Sequence, residues 1–300
     1  MTHTQPGPFA GPPPWPAVAP STLPVVPRQY HEFWRAPAYR WWKGLLAALM
    51  GAVTWFFATM VIGMVGIQID LANGVTTWQD YTDISRLKVT PVFFAANNLS
   101  LACSIPVAML TAWACVGQRP GWLSSVTGRI RWRWLLSCFA WVLPPYLVIL
   151  VISLGFGGEA LAWNENSLFM IVVILLTTPL QSAGEEFLLR GLATRIVGSW
   201  FPRTAGLVAA ALISAVIFMS LHLAQDVWLN AFYLLFALLA SLLAMFIWTA
   251  AYAIEMTTRT QDTALPWSTL KWVGVVLLLS LIHISEPTRR TPISYAVFCL

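Results

Sequence analysis

Residues 168–180 read LFMIVVILLTTPL, and three residues later the chain continues GEEFLLRG, Gly184 to Gly191. An apolar run of this kind approaches the ~20 residues needed to cross a bilayer, and it leads into two adjacent glutamates and an arginine. A carboxylate at membrane depth costs at least about 2.5–3.5 kcal/mol unless it is paired or wetted, so such groups mark function by default. Glu186 and Arg190 are four residues apart and face each other on a helix, which gives them a structural explanation. Glu185 points about 100° round the helix, and Leu188 and Leu189 offer it no partner at i+3 or i+4. It is the carboxylate left to do chemistry.

The rest of the chain has the same character. It is 58% hydrophobic and 10% charged, where a soluble domain carries about 25% charged residues. This excludes an ordinary soluble core and predicts an all-α, polytopic membrane helix bundle. Apolar spans read as 44–67, 91–116, 134–156, 168–183, 205–223 and 229–251, with a stub at 270–278, giving six full spans plus a truncated seventh. Pro144-Pro145 should kink the third span, and Pro179 should bend the fourth just before the glutamates. The net charge of +5 sits in short loops, where it reports topology and not nucleic-acid binding. Arg28, Arg35, Arg40 and Lys43 precede the first span. The loop at 117–133 and the turn RIVGSWFPR, with Arg195 and Arg203, are also basic. The positive-inside rule places these three segments in the cytoplasm of a multi-pass cell-membrane protein, with 67–90 and 157–167 outside. The four cysteines show no CxxC spacing, which argues against a disulfide framework or zinc cluster.

Both ends are set apart. Residues 1–40 comprise a proline-rich tail, 1 to about 27, expected to be disordered, and an aromatic and basic interfacial segment that runs on to Trp41 and Trp42 at headgroup depth. The transmembrane domain proper is 41–278. Residues 279–300, LSLIHISEPTRRTPISYAVFCL, read as translated short-read sequencing adapter: LSLIHISEPTR as a transposase-type adapter, RTP in the place of a sample index, ISYAVFCL as the flow-cell primer. The natural C-terminus is then expected to be missing, and His283 and Cys299 carry no functional weight.

That leaves three histidines, of which His3 and His31 precede the spans. His222 closes the run LISAVIFMSLH. Glu185 lies 17 residues before Pro202 and His222 lies 19 after Arg203, so an antiparallel pair joined at that turn brings them to within about 3 Å of the same depth. Phe218, one turn before His222, can pack on the imidazole. A Glu and a His at one depth can do acid–base chemistry: the Glu takes a proton from water, and the His holds that water or donates to the oxyanion. They could equally be two ligands of a divalent metal such as zinc, one short of the three protein ligands a catalytic zinc uses, or simply glue between helices. Asn97 and Asn98 read as helix–helix glue. Asp226, four residues after His222, could orient its ring but reads rather as a solvated loop acid, and Asn230 reads as a cap of the next helix.

EEFLLR fits the EExxxR motif and FMSLH the FxxxH motif of the CAAX-protease and bacteriocin-processing family of intramembrane proteases, and the chain resembles that family over about 28–245. RPGWLSSVTGRIRWRWL and HLAQDVWLNAFYLLFALLA resemble its actinobacterial members. The resemblance implies that Glu185 and His222 are catalytic, with Glu185 the water-activating base, supported by Glu186, Arg190 and Phe218. It implies an endopeptidase acting on peptides or membrane-protein termini at the lipid bilayer. The family is often named a metalloprotease, although its eukaryotic members resemble glutamate-dependent proteases. A third family motif, a His with Asn or Asp four residues later, has no counterpart between 223 and 278, so the chain as written is expected to be weak or inactive. The site would lie about 25–29 Å from the 200–203 turn by helix rise, while the family's site opens to the cytoplasm; a protruding turn or a helix break at Gly198 would reconcile the two. The alternative function is a non-catalytic scaffold or bacteriocin self-immunity factor on the same fold. A transporter is disfavoured by the lack of inverted repeats.

Overall fold

The computed structural model describes residues 21–25, 28–83, 88–125, 128–156, 166–222 and 226–257. The helices are α1 Trp41–Ala72, α2 Trp78–Thr82, α3 Pro91–Ala102, α4 Ser104–Thr111, α5 Gly121–Ser124, α6 Trp132–Phe156, α7 Ser167–Glu185, α8 Thr194–Trp200, α9 Arg203–Leu221 and α10 Val227–Thr257. Five stretches are long and apolar enough to cross a membrane: 41–72, 91–116, 167–200, 203–221 and 227–246. The protein is therefore an all-α, multi-pass membrane protein. α6 runs over the third expected span, with Pro144 and Pro145 inside it. The expected stub at 270–278 and the adapter-like 279–300 lie outside the described residues.

Because lipid offers no hydrophobic gain between helices, close backbone approach and polar pairs must hold them together. α1 meets α3 where Gly66 faces Ala96, and α7 crosses α3 where Gly184 lies against the Leu101 carbonyl. Asn98 donates to Thr177 Oγ1 at 2.8 Å and to Thr178 Oγ1 at 3.1 Å. It is indeed helix–helix glue. At one end of α1, buried Asp70 accepts hydrogen bonds from Tyr81 at 3.0 Å and from Thr90.

The opposite end carries the basic segments, and they touch one another. Trp200 donates from its indole to the Trp41 carbonyl at 3.0 Å, and Arg195 from Nη2 to the Trp122 carbonyl at 2.8 Å. Gln118 donates to the Thr22 carbonyl at 2.9 Å. Arg195, counted above as a loop charge, is fully buried in α8, its guanidinium 4.7 Å from the Tyr30 ring and 5.0 Å from the Phe33 ring. Ring faces and a carbonyl stand in for part of the water that would otherwise solvate this guanidinium.

The segment before α1 is built into this end. Tyr30–Glu32 forms a 3₁₀ turn, and His31, Phe33 and Trp34 are at most 1% exposed. His31 Nε2 donates to the Arg203 carbonyl at 3.0 Å, and Glu32 Oε1 accepts the Arg203 N–H at 2.9 Å. Arg203 has φ +52, a left-handed conformation that costs about 1–2 kcal/mol for a residue with a Cβ. The clamp on both its peptide groups holds it there. Gly198 lies inside α8, and a Cβ there would collide with His31. The motif helix is thus not broken at Gly198.

Candidate active site

The helix carrying the glutamates runs unbroken as α7 through Pro179 to Glu185. Its irregularity comes later: Glu186–Ala193 is π-helical. The wider turn shows in the side chains, since Thr194 Oγ1 donates to the carbonyl of Leu189, five residues back, at 2.9 Å. π segments inside α-helices concentrate at functional sites, where they re-aim side chains. Here the segment contains Glu186 and Arg190.

Each expected site residue can be placed. Glu185 ends α7, half-buried, and accepts a hydrogen bond from the Gln181 amide at 3.2 Å. Gln181 is its i−4 neighbour, a partner that a search limited to i+3 and i+4 misses. Glu186 Oε1 lies 3.3 Å from Arg190 Nη1; the arginine side chain is 4% exposed and the glutamate 33%. Tyr30 donates its hydroxyl to the Arg190 carbonyl. The Arg190 guanidinium sits over the Phe218 ring, 4.6 Å from its centroid. Phe218, 2% exposed, lies 4.2 Å from the His222 ring, centroid to centroid.

Two contacts fix the register of the motif helix against α9: Ser214 Oγ donates to the Leu189 carbonyl at 3.1 Å, and Arg190 faces Phe218. Continued antiparallel, the same register sets Glu185 near the level of His222. His222 caps the end of α9. Its Nδ1 is 2.7 Å from the Phe218 carbonyl. A carbonyl only accepts, so Nδ1 carries the proton, and Nε2 is the acceptor nitrogen of the neutral ring. Tyr233 of α10 closes the other side at 4.4 Å between ring centroids. The sequence marks Tyr233 only as a tyrosine inside an apolar span.

Asp226 does not orient the imidazole; the Phe218 carbonyl does. Asp226 instead accepts the Leu229 N–H at 2.8 Å and caps α10, which starts at Val227. Asn230, expected as the cap, falls inside the first turn, because α10 begins two residues earlier than its apolar run suggests. Among the described residues no three His, Cys, Asp or Glu side chains converge. Glu185 and His222 are the donors here, against the three protein ligands of a catalytic zinc.

The fold defines a polytopic helical membrane protein whose motif helix packs on α9 through Leu189, Arg190, Ser214 and Phe218. A family model described as Rce1-like, type II CAAX prenyl endopeptidase Rce1-like, matches residues 164–258. That stretch is similar to this family of CAAX-type membrane endopeptidases, and it contains Glu185, Glu186, Arg190, Phe218 and His222. No curated protein and no solved structure matches the chain.

Proposed function

We propose that the protein is an intramembrane endopeptidase in which Glu185 takes a proton from water and the resulting hydroxide attacks a peptide carbonyl. Glu185 then returns the proton to the leaving amine. His222 accepts a hydrogen bond from the same water through Nε2, the role open to a neutral ring whose Nδ1 is tied to Phe218. Glu186 and Arg190 hold the helix, and Phe218 bridges the arginine and the imidazole. The observation that supports this reading is the register of the motif helix on α9, given by Ser214 on the Leu189 carbonyl and Arg190 over Phe218. Substrates are peptides or membrane-protein termini presented at the bilayer. The protein resides in the cell membrane with its basic end, including residues 28–43, in the cytoplasm.

The test compares membranes bearing the parent, Glu185→Gln and Glu186→Gln on a panel of quenched-fluorescent peptides with apolar termini. Removing a general base costs roughly 10²–10⁴-fold, so Glu185→Gln should lose cleavage while melting like the parent. Glu186→Gln should melt earlier, because it strips the counter-charge from a buried arginine. Undiminished cleavage by Glu185→Gln would sink the mechanism and favour a non-catalytic scaffold.

A further inference from the structure

Outside the site, the basic end of the bundle contains a cleft of about 760 Å³, lined by Arg28, Arg35, Tyr39, Trp41, Trp200 and Phe201 among others. Its polar wall is fixed: Tyr39 Oη and Ser199 Oγ are 2.5 Å apart, and the Trp200 indole bonds the Trp41 carbonyl. Its rim is apolar and open. Trp41 is 68% exposed and Leu45 56%, and this surface continues down α1 through exposed Leu49 and Val53.

The charges in the cleft are not balanced from within. Residues 28–43 contain Arg28, Arg35, Arg40 and Lys43 against one acid, Glu32. Glu32 spends Oε1 on the Arg203 N–H and offers Arg28 only a long 4.0 Å ion pair. Arg28 Nε is buried with no hydrogen-bond partner. The Arg35 side chain forms no ion pair or hydrogen bond among the described residues. Lys43 and Arg40 turn aside, donating to the carbonyls of Ala38, Pro37 and Tyr39.

Two arginines above an apolar stripe, in a tryptophan-lined cleft, match an amphipath with an anionic head. Guanidinium forks pair with phosphate oxygens, and basic pockets at the cytoplasmic ends of helices bind anionic headgroups. We propose that this cleft holds the phosphate of an anionic phospholipid, gripped by Arg28 and Arg35, with its acyl chains lying along Leu45 and Leu49 of α1. A free phosphate would use the arginines and leave the stripe idle.

The experiment is native mass spectrometry of the full chain in neutral detergent, with phosphatidylglycerol, phosphatidylcholine or inorganic phosphate added. The parent should retain phosphatidylglycerol in preference to phosphatidylcholine. Arg35→Gln should lower that retention about five-fold, the worth of one basic residue near an anionic surface. The Arg35 side chain has no hydrogen bond or ion pair to lose among the described residues, and Arg28→Gln serves as a second variant. Lys88→Gln makes the same charge change at the far end of α1 and should retain the lipid as the parent does. Equal retention of the two lipids, or equal effects of Arg35→Gln and Lys88→Gln, would overturn the site. Inorganic phosphate displacing phosphatidylglycerol at matched concentration would overturn the lipid assignment.

Discussion

Gly184→Ala tests how the candidate base is positioned. A Cβ at Gly184 would fall 2.9 Å from the Leu101 carbonyl carbon and 3.0 Å from the Ala102 Cα, and closer still to the carbonyl oxygen. Ordinary contacts need about 3.5–4.0 Å, and these obstacles are backbone, so α7 must back away from α3 by about 1 Å. Overpacking of this kind costs about 1–3 kcal/mol, offset by about 1 kcal/mol of helix propensity gained over glycine. The net loss of stability is therefore about 0–2 kcal/mol. Activity should suffer far more, because Glu185 is the next residue and a 1 Å misplacement costs about 10²-fold in rate. Gly63→Ala is the control: nothing lies within 4 Å of a Cβ there, so it should gain the propensity term and cleave like the parent. The assay is thermal melting in detergent together with peptide cleavage in proteoliposomes. Cleavage by Gly184→Ala within a few-fold of Gly63→Ala would refute the argument.

A second prediction concerns pH. Burial holds the His31 imidazole below its usual value, while its bond to the Arg203 carbonyl and the neighbouring Glu32 oppose the shift and Arg35 reinforces it. The folded state thus binds the proton less readily than the unfolded one. His31 contributes its full stability above about pH 6.5 and loses it as pH falls through the lower folded value. The parent should melt progressively earlier from pH 7.5 to pH 5, and His31→Gln should flatten that slope; equal slopes would refute it. For orientation, a cysteine placed at Asp80 should be labelled by an impermeant reagent from outside the cell and one at Arg129 should not. The reverse pattern would invert the topology.

Much of the fold is legible because membrane helices declare themselves by length and apolarity alone. The spacing of Glu186 and Arg190 likewise points to the contact found at 3.3 Å, and the residue count from the 200–203 turn points to the register found against α9. Local composition could not foresee the role of residues 28–40. YHEFWR looks like interfacial sequence, but its partners are the carbonyl of Arg190, the peptide of Arg203 and the faces around Arg195, some 160 residues away. Periodicity carries no record of such contacts. The π segment was hidden for a related reason: one widened turn leaves the apolar pattern intact and shows only in hydrogen bonds such as Thr194 to Leu189.

The clamp on Arg203 has a bearing on how the protein is made. His31 and Glu32 leave the ribosome 172 and 171 residues ahead of the backbone they must hold. At about 5–20 residues per second that is a wait of roughly 10–30 s, during which several spans must enter the bilayer. The amino-terminal strap therefore acts as a late latch on the nascent chain, closing once the hairpin of α8 and α9 has emerged. A purification tag joined close to Arg28 would crowd that latch, whereas one joined at Met1 would stand 27 residues ahead of Arg28 in the sequence.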